Sequence, residues 1–346
     1  MMAFVISRSR KSSALSLAAV LTLLLLACTP TATPEPATVY LAADGSGDYA
    51  SLEAAVEAVP PGSTIELEAG SYRLAEPLDI DKSLRLVGGG LDETFVISEA
   101  AGHVIRVTGS GPFSATEITF LHEGEVAADV VAVDGVQFAF ARCRFTGASH
   151  AEGEEERAGL RILGESIGVV QDSEASANVS IGIWIDGQAQ AQIEQNRITD
   201  NTLIGLLYTG SARGTASQND ILGNEAAGIQ VKGQAQPALE GNDCSNNGSG
   251  ILYLDASAGT ARQNKCWTNT FVGISVGNEA RPVLEGNACS ENAYGIVYGG
   301  SEGGVARGNK VSGNTVGLLI GEDAKPELEG NEIHDNEEED VRDLRP

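Results

Sequence analysis

The feature of this sequence that most constrains its fold is a repeat of 22 or 23 residues in its second half. The repeat is marked by glycines at Gly159, Gly182, Gly205, Gly228, Gly250, Gly273, Gly295 and Gly317. Fourteen residues after each glycine comes an asparagine, in a row from Asn196 to Asn331, and only the first unit has Ser173 instead. A second row lies five residues further on, from Asn178 to Asn336. A period of this length is typical of solenoids, in which each unit packs against the next.

The residues that follow each glycine predict a short strand. The first and third positions are apolar, as in Ile229 and Val231, and the position between them holds Gln230. A period of two indicates a β-strand. Such short strands bury no face alone, but turns stacked about 4.8 Å apart do. We therefore expect an all-β, single-stranded right-handed parallel β-helix in which asparagine amides pass hydrogen bonds from turn to turn.

Two columns of side chains alternate in size from one unit to the next, which predicts that they meet in the interior. Units with Val231 at the third position carry Leu239 later, whereas units with Tyr208 carry Ala216. A large residue matched with a small one keeps the interior volume constant, as close packing requires. The alternative is an exposed row of tyrosines that stack on sugars. If the tyrosines are buried, we expect each hydroxyl to have a hydrogen-bond partner.

Three cysteines occupy one of the predicted interior columns. Cys244, Cys266 and Cys289 take the place that Ile221 has in another unit, so we expect an inward ladder on three adjacent turns. An oxidising compartment permits disulfides. We favour buried free thiols over a disulfide or a metal site.

The first 38 residues predict export rather than a folded core. Arg8, Arg10 and Lys11 precede an apolar run within residues 1–27, which is predicted to be a signal peptide. The run ends in "LLLAC", which resembles the lipobox of bacterial lipoproteins and makes Cys28 the lipid acceptor. An ordinary secretory signal with an incidental cysteine is the alternative. Residues 28–38 are rich in proline and threonine and predict a tether. The protein is therefore expected to be exported and lipid-anchored to the bacterial cell envelope, facing outside the cytoplasm.

The solenoid is predicted for residues 39–338, with an acidic tail at residues 339–346 that we expect to fray. The segment "DYASLEAAVEAVP" has apolar residues on one helical face and predicts a short helix that caps the N-terminal end. That face contains Tyr49, Leu52, Ala55, Val56 and Val59. An insertion from His150 to Arg157 delays the repeat and predicts a projecting loop.

Two stretches resemble known families. "AADGSGDYASLEAAVEAVPPGSTIELEAGSYRL" resembles the start of pectin-lyase-fold proteins, including pectin methylesterases. Units of the form "GIxVxxxAxPxLEGNxCxxN" resemble right-handed parallel β-helix repeats of carbohydrate-binding and sugar-hydrolysis domains. The resemblance covers about Val39 to Glu338 and implies the fold, which hosts many activities. Catalytic signatures do not carry over, since only "QDSE" at Gln171–Glu174 approaches the Q-D-T-L motif of pectin methylesterases.

Charge and composition narrow the range of partners. A formal net charge of -26 repels nucleic acid and anionic lipid headgroups, so contact with the membrane is expected through the lipid anchor alone. The histidines are scattered, and no metal site or cofactor is predicted, although the acidic surface leaves Ca²⁺ binding open. We expect a monomer.

A candidate binding surface lies at the second position after each glycine, which faces outward. This column contains Arg161, Trp184, Leu207, Gln230, Leu252, Ser275, Val297 and Leu319. An outward apolar strip often marks a contact surface. Arg161 and Asp186 flank Trp184 with charge, which suits sugar stacking combined with hydrogen bonding. The alternative is that the inserted loop folds over Trp184 and covers it.

Two classes of function remain open from the sequence. The first is a surface-anchored, non-catalytic β-helix that binds a polysaccharide or another cell-envelope component, and the missing catalytic signatures favour it. The alternative is a polysaccharide-acting enzyme, namely a lyase, hydrolase or esterase of the pectin-lyase fold, which export and the resemblance support.

Overall fold

The structure, a computed structural model, describes residues 35–151 and 153–346. The predicted signal peptide, Cys28 and the tether up to residue 34 lie outside the described residues, as does Glu152 of the inserted loop. Within the described part, no helix has the length and apolar character needed to cross a membrane.

Short strands make up nearly all of the regular secondary structure in the described part of the chain. Up to residue 176 they are β1 (Thr38–Leu41), β2 (Ser63–Leu67), β3 (Gly70–Leu74), β4 (Leu78–Val87), β5 (Thr94–Ser98), β6 (Gly102–Thr116), β7 (Thr119–His122), β8 (Ala128–Asp134), β9 (Gln137–Ala141), β10 (Arg144–Thr146), β11 (Ala158–Leu163), β12 (Ile167–Gln171) and β13 (Glu174–Ser176). The remaining strands are β14 (Ile181–Ile185), β15 (Gln190–Glu194), β16 (Arg197–Thr199), β17 (Ile204–Tyr208), β18 (Arg213–Ser217), β19 (Asp220–Leu222), β20 (Ala227–Val231), β21 (Ala238–Glu240), β22 (Asp243–Ser245), β23 (Ser249–Tyr253), β24 (Thr260–Arg262), β25 (Lys265–Trp267), β26 (Val272–Val276), β27 (Val283–Glu285), β28 (Ala288–Ser290), β29 (Tyr294–Tyr298), β30 (Val305–Arg307), β31 (Lys310–Ser312), β32 (Val316–Ile320), β33 (Glu327–Glu329), β34 (Glu332–Ile333) and β35 (Glu339–Asp343).

These strands pair in parallel as three ladders. The first ladder begins with the N-terminal halves of β4 and β6, continues with β8 and β11, and then takes every third strand to β35. The second ladder begins with β1, β2 and the C-terminal halves of β4 and β6, continues with β9, and then takes every third strand to β33. Because β4 and β6 belong to both ladders, the two form one 23-stranded sheet. The third ladder is a 12-stranded sheet of β3, β5, β7 and β10, followed by every third strand to β34. The chain therefore winds through all three ladders once per turn.

Each sequence repeat corresponds to one turn. Val231 of β20 pairs with Tyr208 in the turn before and with Tyr253 in the turn after. The result is a right-handed parallel β-helix of about 13 turns with 2% helix. The predicted fold class is confirmed.

The two asparagine rows form continuous hydrogen-bond ladders inside the solenoid, as predicted. In the first row, the amide Nδ2 of each asparagine from Asn196 to Asn309 donates to Oδ1 of the next over 2.8–3.0 Å. The backbone N–H of Asn242 also donates to Oδ1 of Asn264. The spare amide hydrogen of Asn264 bonds to the carbonyl oxygen of Leu239. The asparagines thus satisfy buried backbone groups at the corner where the chain turns between strands.

The alternation of large and small residues lies in the core, as predicted. Tyr208 and Tyr253 are fully buried, and so are Ala216 and Ala261 across the interior. The expectation that each tyrosine hydroxyl has a partner is wrong. Among the described residues, nothing bonds to the hydroxyls of Tyr208, Tyr253 or Tyr298, because they point into an interior lined by aliphatic side chains and thiols.

Replacing Tyr253 by phenylalanine is therefore expected to raise the free energy of unfolding by about 1–2 kcal/mol, since the change removes a buried hydroxyl without a partner. Burial also raises the pKa of Tyr253, which is consistent with a dry surrounding. Urea unfolding of both proteins measures the difference. A lower unfolding midpoint in Tyr253→Phe would show that the hydroxyl is bonded in solution.

The cysteine column is confirmed as an inward ladder of free thiols. Cys266 of β25 pairs in register with Cys244 and Cys289 on the adjacent turns, and all three are buried and unbridged. Hydrogen bonds to its two neighbours, together with burial, raise the pKa of Cys266. The three thiols serve as small apolar side chains of the core.

The two ends of the solenoid differ. The predicted helix, α1 (Leu52–Ala58), begins at the N-cap Ser51, whose Oγ accepts from the N–H of Ala54. Its buried face packs against the core with Leu52, Ala55 and Val56. At the other end, residues 339–343 do not fray as expected. They form β35, which pairs with β32 because backbone hydrogen bonding does not require apolar side chains.

Candidate functional site

The outer face of the first ladder carries the predicted binding column. Consecutive turns place its members in direct register: Arg161, Trp184, Leu207, Gln230, Leu252, Ser275, Val297 and Leu319. All are partly exposed except Leu207, which is buried. Upstream, the same column continues as Asp79, Arg106 and Ala132. The surface therefore changes along the axis from charged to largely apolar.

Arg161 and Trp184 belong to a group that we call the Asp129 cluster, consisting of Asp129, Arg157, Arg161 and Trp184. Asp129 lies on β8 and is only 5% exposed. Its Oδ1 accepts from the backbone N–H of Ala158 over 2.8 Å. Its Oδ2 lies 3.4 Å from Nη1 of Arg157 and 3.7 Å from Nη1 of Arg161. Two guanidinium groups therefore share one buried carboxylate on the outside of the sheet.

Trp184 is held by its neighbours on several sides. The guanidinium carbon of Arg161 lies 4.2 Å from the centroid of the ring, a cation–π distance. The indole N–H donates to Oγ1 of Thr209 over 2.8 Å, and that hydroxyl donates to Oδ1 of Asp186 over 2.6 Å. The ring also packs against a small apolar cluster of Ala158, Ile181, Ile204 and Leu207. The three predicted site residues thus come together, with Asp186 linked to Trp184 through Thr209.

The inserted loop reaches back to this cluster. Glu155 of the loop accepts a hydrogen bond from Nη2 of Arg161. Ser149, directly before the loop, pairs with Ala128, the neighbour of Asp129. The loop therefore fixes Arg161, while Trp184 stays partly exposed.

Burial shifts two titratable groups on this face in opposite directions. Burial raises the pKa of Asp129 against the effects of the Ala158 N–H and the two arginines. Burial lowers the pKa of His103, which lies in register with Asp129 one turn upstream, although Oδ1 of Asp79 lies 3.2 Å from its Nε2 and acts in the opposite sense. Neighbouring groups with shifted pKa values occur at functional sites and also in structural ion-pair networks.

Four buried nitrogens of this region have no hydrogen-bond partner within the part of the chain that the structure describes. They are Nε of Arg157, Nε of Arg161, Nδ1 of His150 and Nε2 of His103. Native folds pair nearly all buried polar groups with protein, water or ligand. These nitrogens are shielded from bulk solvent, so a water molecule or a ligand oxygen would have to enter the cluster to bond with them.

Asp129 and Arg157 were not among the predicted site residues. The column of Asp129 continues as Ala158, Ile181 and Ile204 in the following turns. A carboxylate in a column that is apolar in the next three turns was the signal that marks this site in the sequence. Arg157 lies in the insertion, where the repeat does not predict which residue of the neighbouring turn it contacts.

The described residues contain no group of three or more His, Cys, Asp or Glu side chains arranged to hold a metal ion. Calcium binding stays an untested prediction.

One family of proteins, described as the right handed beta helix region, matches the chain over three overlapping stretches, residues 98–243, 129–288 and 182–337. A comparison with curated proteins gave no match.

Several solved structures share the fold at low sequence identity. The A-module of the mannuronan C-5 epimerase AlgE4 of Azotobacter vinelandii has a TM-score of 0.65 and 18% identity over 82% of this chain and 90% of its own. The Dettilon tailspike protein has a TM-score of 0.63 and 14% identity over 84% of this chain and 68% of its own. The catalytic domain of an α-1,3-glucanase has a TM-score of 0.57 and 10% identity over 91% of this chain and 67% of its own. At these identities, the likeness shows the fold alone.

Proposed function

The chain belongs to the right-handed β-helix family, and on that basis we propose that it is a non-catalytic protein that binds carbohydrate on the outer face of its first ladder. The Asp129 cluster carries this proposal, because it places two guanidinium groups and a carboxylate beside a partly exposed aromatic ring on an outward face. Packing alone does not require these charges, since the following turns fill the column of Asp129 with Ala158 and Ile181. Ligand sites combine such polar groups with apolar and aromatic surface.

The contacts indicate how a ligand would bind. Arg161 occupies one face of the indole ring, so a sugar would meet the edge of Trp184 and the polar groups around it. Arg157 and Arg161 would donate hydrogen bonds, and Asp186 would accept them. The apolar strip that continues through Leu252 suits the hydrocarbon face of further sugar units. A polysaccharide extended along the solenoid axis fits this order of groups.

Two relatives in fold support carbohydrate as the ligand class. One is named a mannuronan C-5 epimerase, and the glucanase structure is a complex with tetrasaccharides.

We also propose that the protein is exported and anchored to the cell envelope by a lipid on Cys28. The basic residues, apolar run and "LLLAC" motif of the sequence support this location. The natural ligand would then be a polysaccharide or another component of the envelope or its surroundings.

A polysaccharide-acting enzyme is the second candidate, favoured by one observation. Asp129, with a raised pKa, and His103, with a lowered pKa, lie in register on adjacent turns. The raised pKa of Asp129 moves toward neutral pH, where proton transfer is most effective, and the lowered pKa of His103 favours its neutral imidazole, which is able to accept a proton.

Retention on an array of soluble polysaccharides, with and without calcium, tests the proposed function. We expect the protein to be retained, and we expect Arg161→Gln and Trp184→Ala to weaken retention by about tenfold or more. Arg213→Gln, at an exposed arginine of β18, is the matched control and should retain normally. Unchanged retention in Trp184→Ala would contradict the site. Release of unsaturated or reducing ends would contradict a non-catalytic role and support the second candidate.

A further inference from the structure

A second exposed tryptophan lies on a different sheet, the outer face of the third ladder. Trp267 ends β25 and is 38% exposed. Its indole N–H donates to Oδ1 of Asp243 over 2.8 Å, which fixes the plane of the ring. Both partners of Trp267 in the ladder are small, Ser245 on the turn before and Ser290 on the turn after. A large aromatic side chain is therefore held in place between two small residues.

The two sides of Trp267 are unequal. Its hydrogen bond to Asp243 draws the ring toward the preceding turn, where Ser245 is buried. On the side of the following turn lies a depression of about 270 Å³, lined by Asp243, Lys265, Trp267, Ala288 and Ser290. Small side chains on that side leave room for a planar or ring-shaped group against the indole.

This depression continues along the solenoid. A neighbouring depression of about 520 Å³ shares Asp243 and Lys265 with it and extends to Arg197, Asp220, Gln195 and Gln218. Arg197, Asp220, Asp243, Lys265 and Ala288 follow one another in register on five consecutive turns. Turns lie about 4.8 Å apart, which is close to the length of one sugar unit in a polysaccharide.

The charges of this groove point to an uncharged ligand. Arg197 and Lys265 are cationic, and Asp220 and Asp243 are anionic, so the formal charges of the four side chains cancel. The net charge of -26 on the whole chain also disfavours a polyanion. Charged side chains and the amides of Gln195 and Gln218 bond readily to hydroxyl groups, which both donate and accept hydrogen bonds.

We propose that this groove, here called the Trp267 groove, binds a neutral polysaccharide, with one sugar ring stacked on Trp267 and neighbouring hydroxyls bonded to Asp243 and Lys265. An aromatic face bordered by a few directional polar groups is the usual composition of a small-molecule site. The groove uses none of the residues of the Asp129 cluster. It is therefore a second site, and its test is independent of the test of the function proposed above.

The chain has two tryptophans, so fluorescence separates the two sites. In Trp184→Phe, Trp267 is the only tryptophan, and its emission is followed while cellohexaose, laminarihexaose or xylohexaose is added. We expect at least one of these neutral hexasaccharides to shift the emission saturably, and hexagalacturonate to have no effect. If none of the three changes the emission, or if hexagalacturonate alone does, the proposal is overturned.

Calorimetric titration with the hexasaccharide that binds locates the site. We expect Trp267→Ala to weaken binding at least tenfold, whereas Phe271→Ala should bind normally. Phe271 is the matched control because it is an aromatic residue with 61% exposure that does not line the groove. Full affinity in Trp267→Ala would overturn the proposal. When Arg161→Gln is added to Trp184→Phe, we expect the emission response of Trp267 to stay intact, so failure at the Asp129 cluster and failure at the Trp267 groove give different results.

Discussion

Replacing Asn264 by alanine is expected to lower the free energy of unfolding by about 3–5 kcal/mol, because it leaves several buried polar groups without partners. Oδ1 of Asn264 accepts from the backbone N–H of Asn242 over 3.0 Å and from its Nδ2 over 2.9 Å. Nδ2 of Asn264 donates to the carbonyl oxygen of Leu239 over 2.9 Å and to Oδ1 of Asn287 over 3.0 Å. Asn242, Asn264 and Asn287 are completely buried, so bulk water does not replace these bonds.

Urea unfolding followed by circular dichroism measures this effect. Lys265→Ala is the control, since Lys265 is the next residue in the chain but points to solvent, and its replacement should change the free energy by less than about 0.5 kcal/mol. A loss in Asn264→Ala no larger than in the control would show that the asparagine row is not a structural ladder.

Replacing Gly228 by alanine is expected to cost about 3 kcal/mol, since an added methyl group would collide with backbone that has no room to move. A Cβ at Gly228 would lie 2.8 Å from Nδ2 of Asn247 and 2.9 Å from the carbonyl oxygen of Gly250. Asn247 is fixed by the second asparagine row, and Gly250 is the equivalent glycine of the next turn. Close approach between turns therefore explains why glycine recurs at this position of the repeat.

Gly299→Ala provides the matched control for the glycine prediction. A Cβ at Gly299 would meet no atom within 4 Å, and its backbone is not in the left-handed region. This change should be neutral or stabilise the protein by about 0.4–1 kcal/mol, because alanine restricts the unfolded chain. Both variants are compared by their unfolding midpoints in urea. Equal midpoints for Gly228→Ala and Gly299→Ala would contradict the crowding of the glycine column.

The sequence predicted most of the fold because each structural role recurs at the same position of every turn. Gly228 and Asn242 could be assigned a structural role from the sequence, because equivalent residues lie one turn away on either side. The partnerless hydroxyl of Tyr253 was not predicted, because volume rather than hydrogen bonding decides which side chain fills that position. Strand β35 was also missed, because its acidic side chains do not show the apolar alternation of the earlier strands, although its backbone pairs as theirs does.

The candidate site was only partly predictable. The proximity of Arg161 and Trp184 follows from the repeat, because both occupy the same column on adjacent turns. The link to Asp186 through Thr209 joins different columns and depends on side-chain rotamers that no periodicity encodes. Asp129 lies on β8, whereas its partner Arg157 lies in the inserted loop, so their contact depends on the path of that loop.

The central claim is that successive sequence repeats are successive turns of one solenoid, joined through their asparagines. A crystal structure of the protein tests this claim most directly. We expect Nδ2 of Asn242 to lie about 2.9 Å from Oδ1 of Asn264, with both side chains inside the stack. Electron density that places these two amides apart, or turned toward solvent, would contradict it.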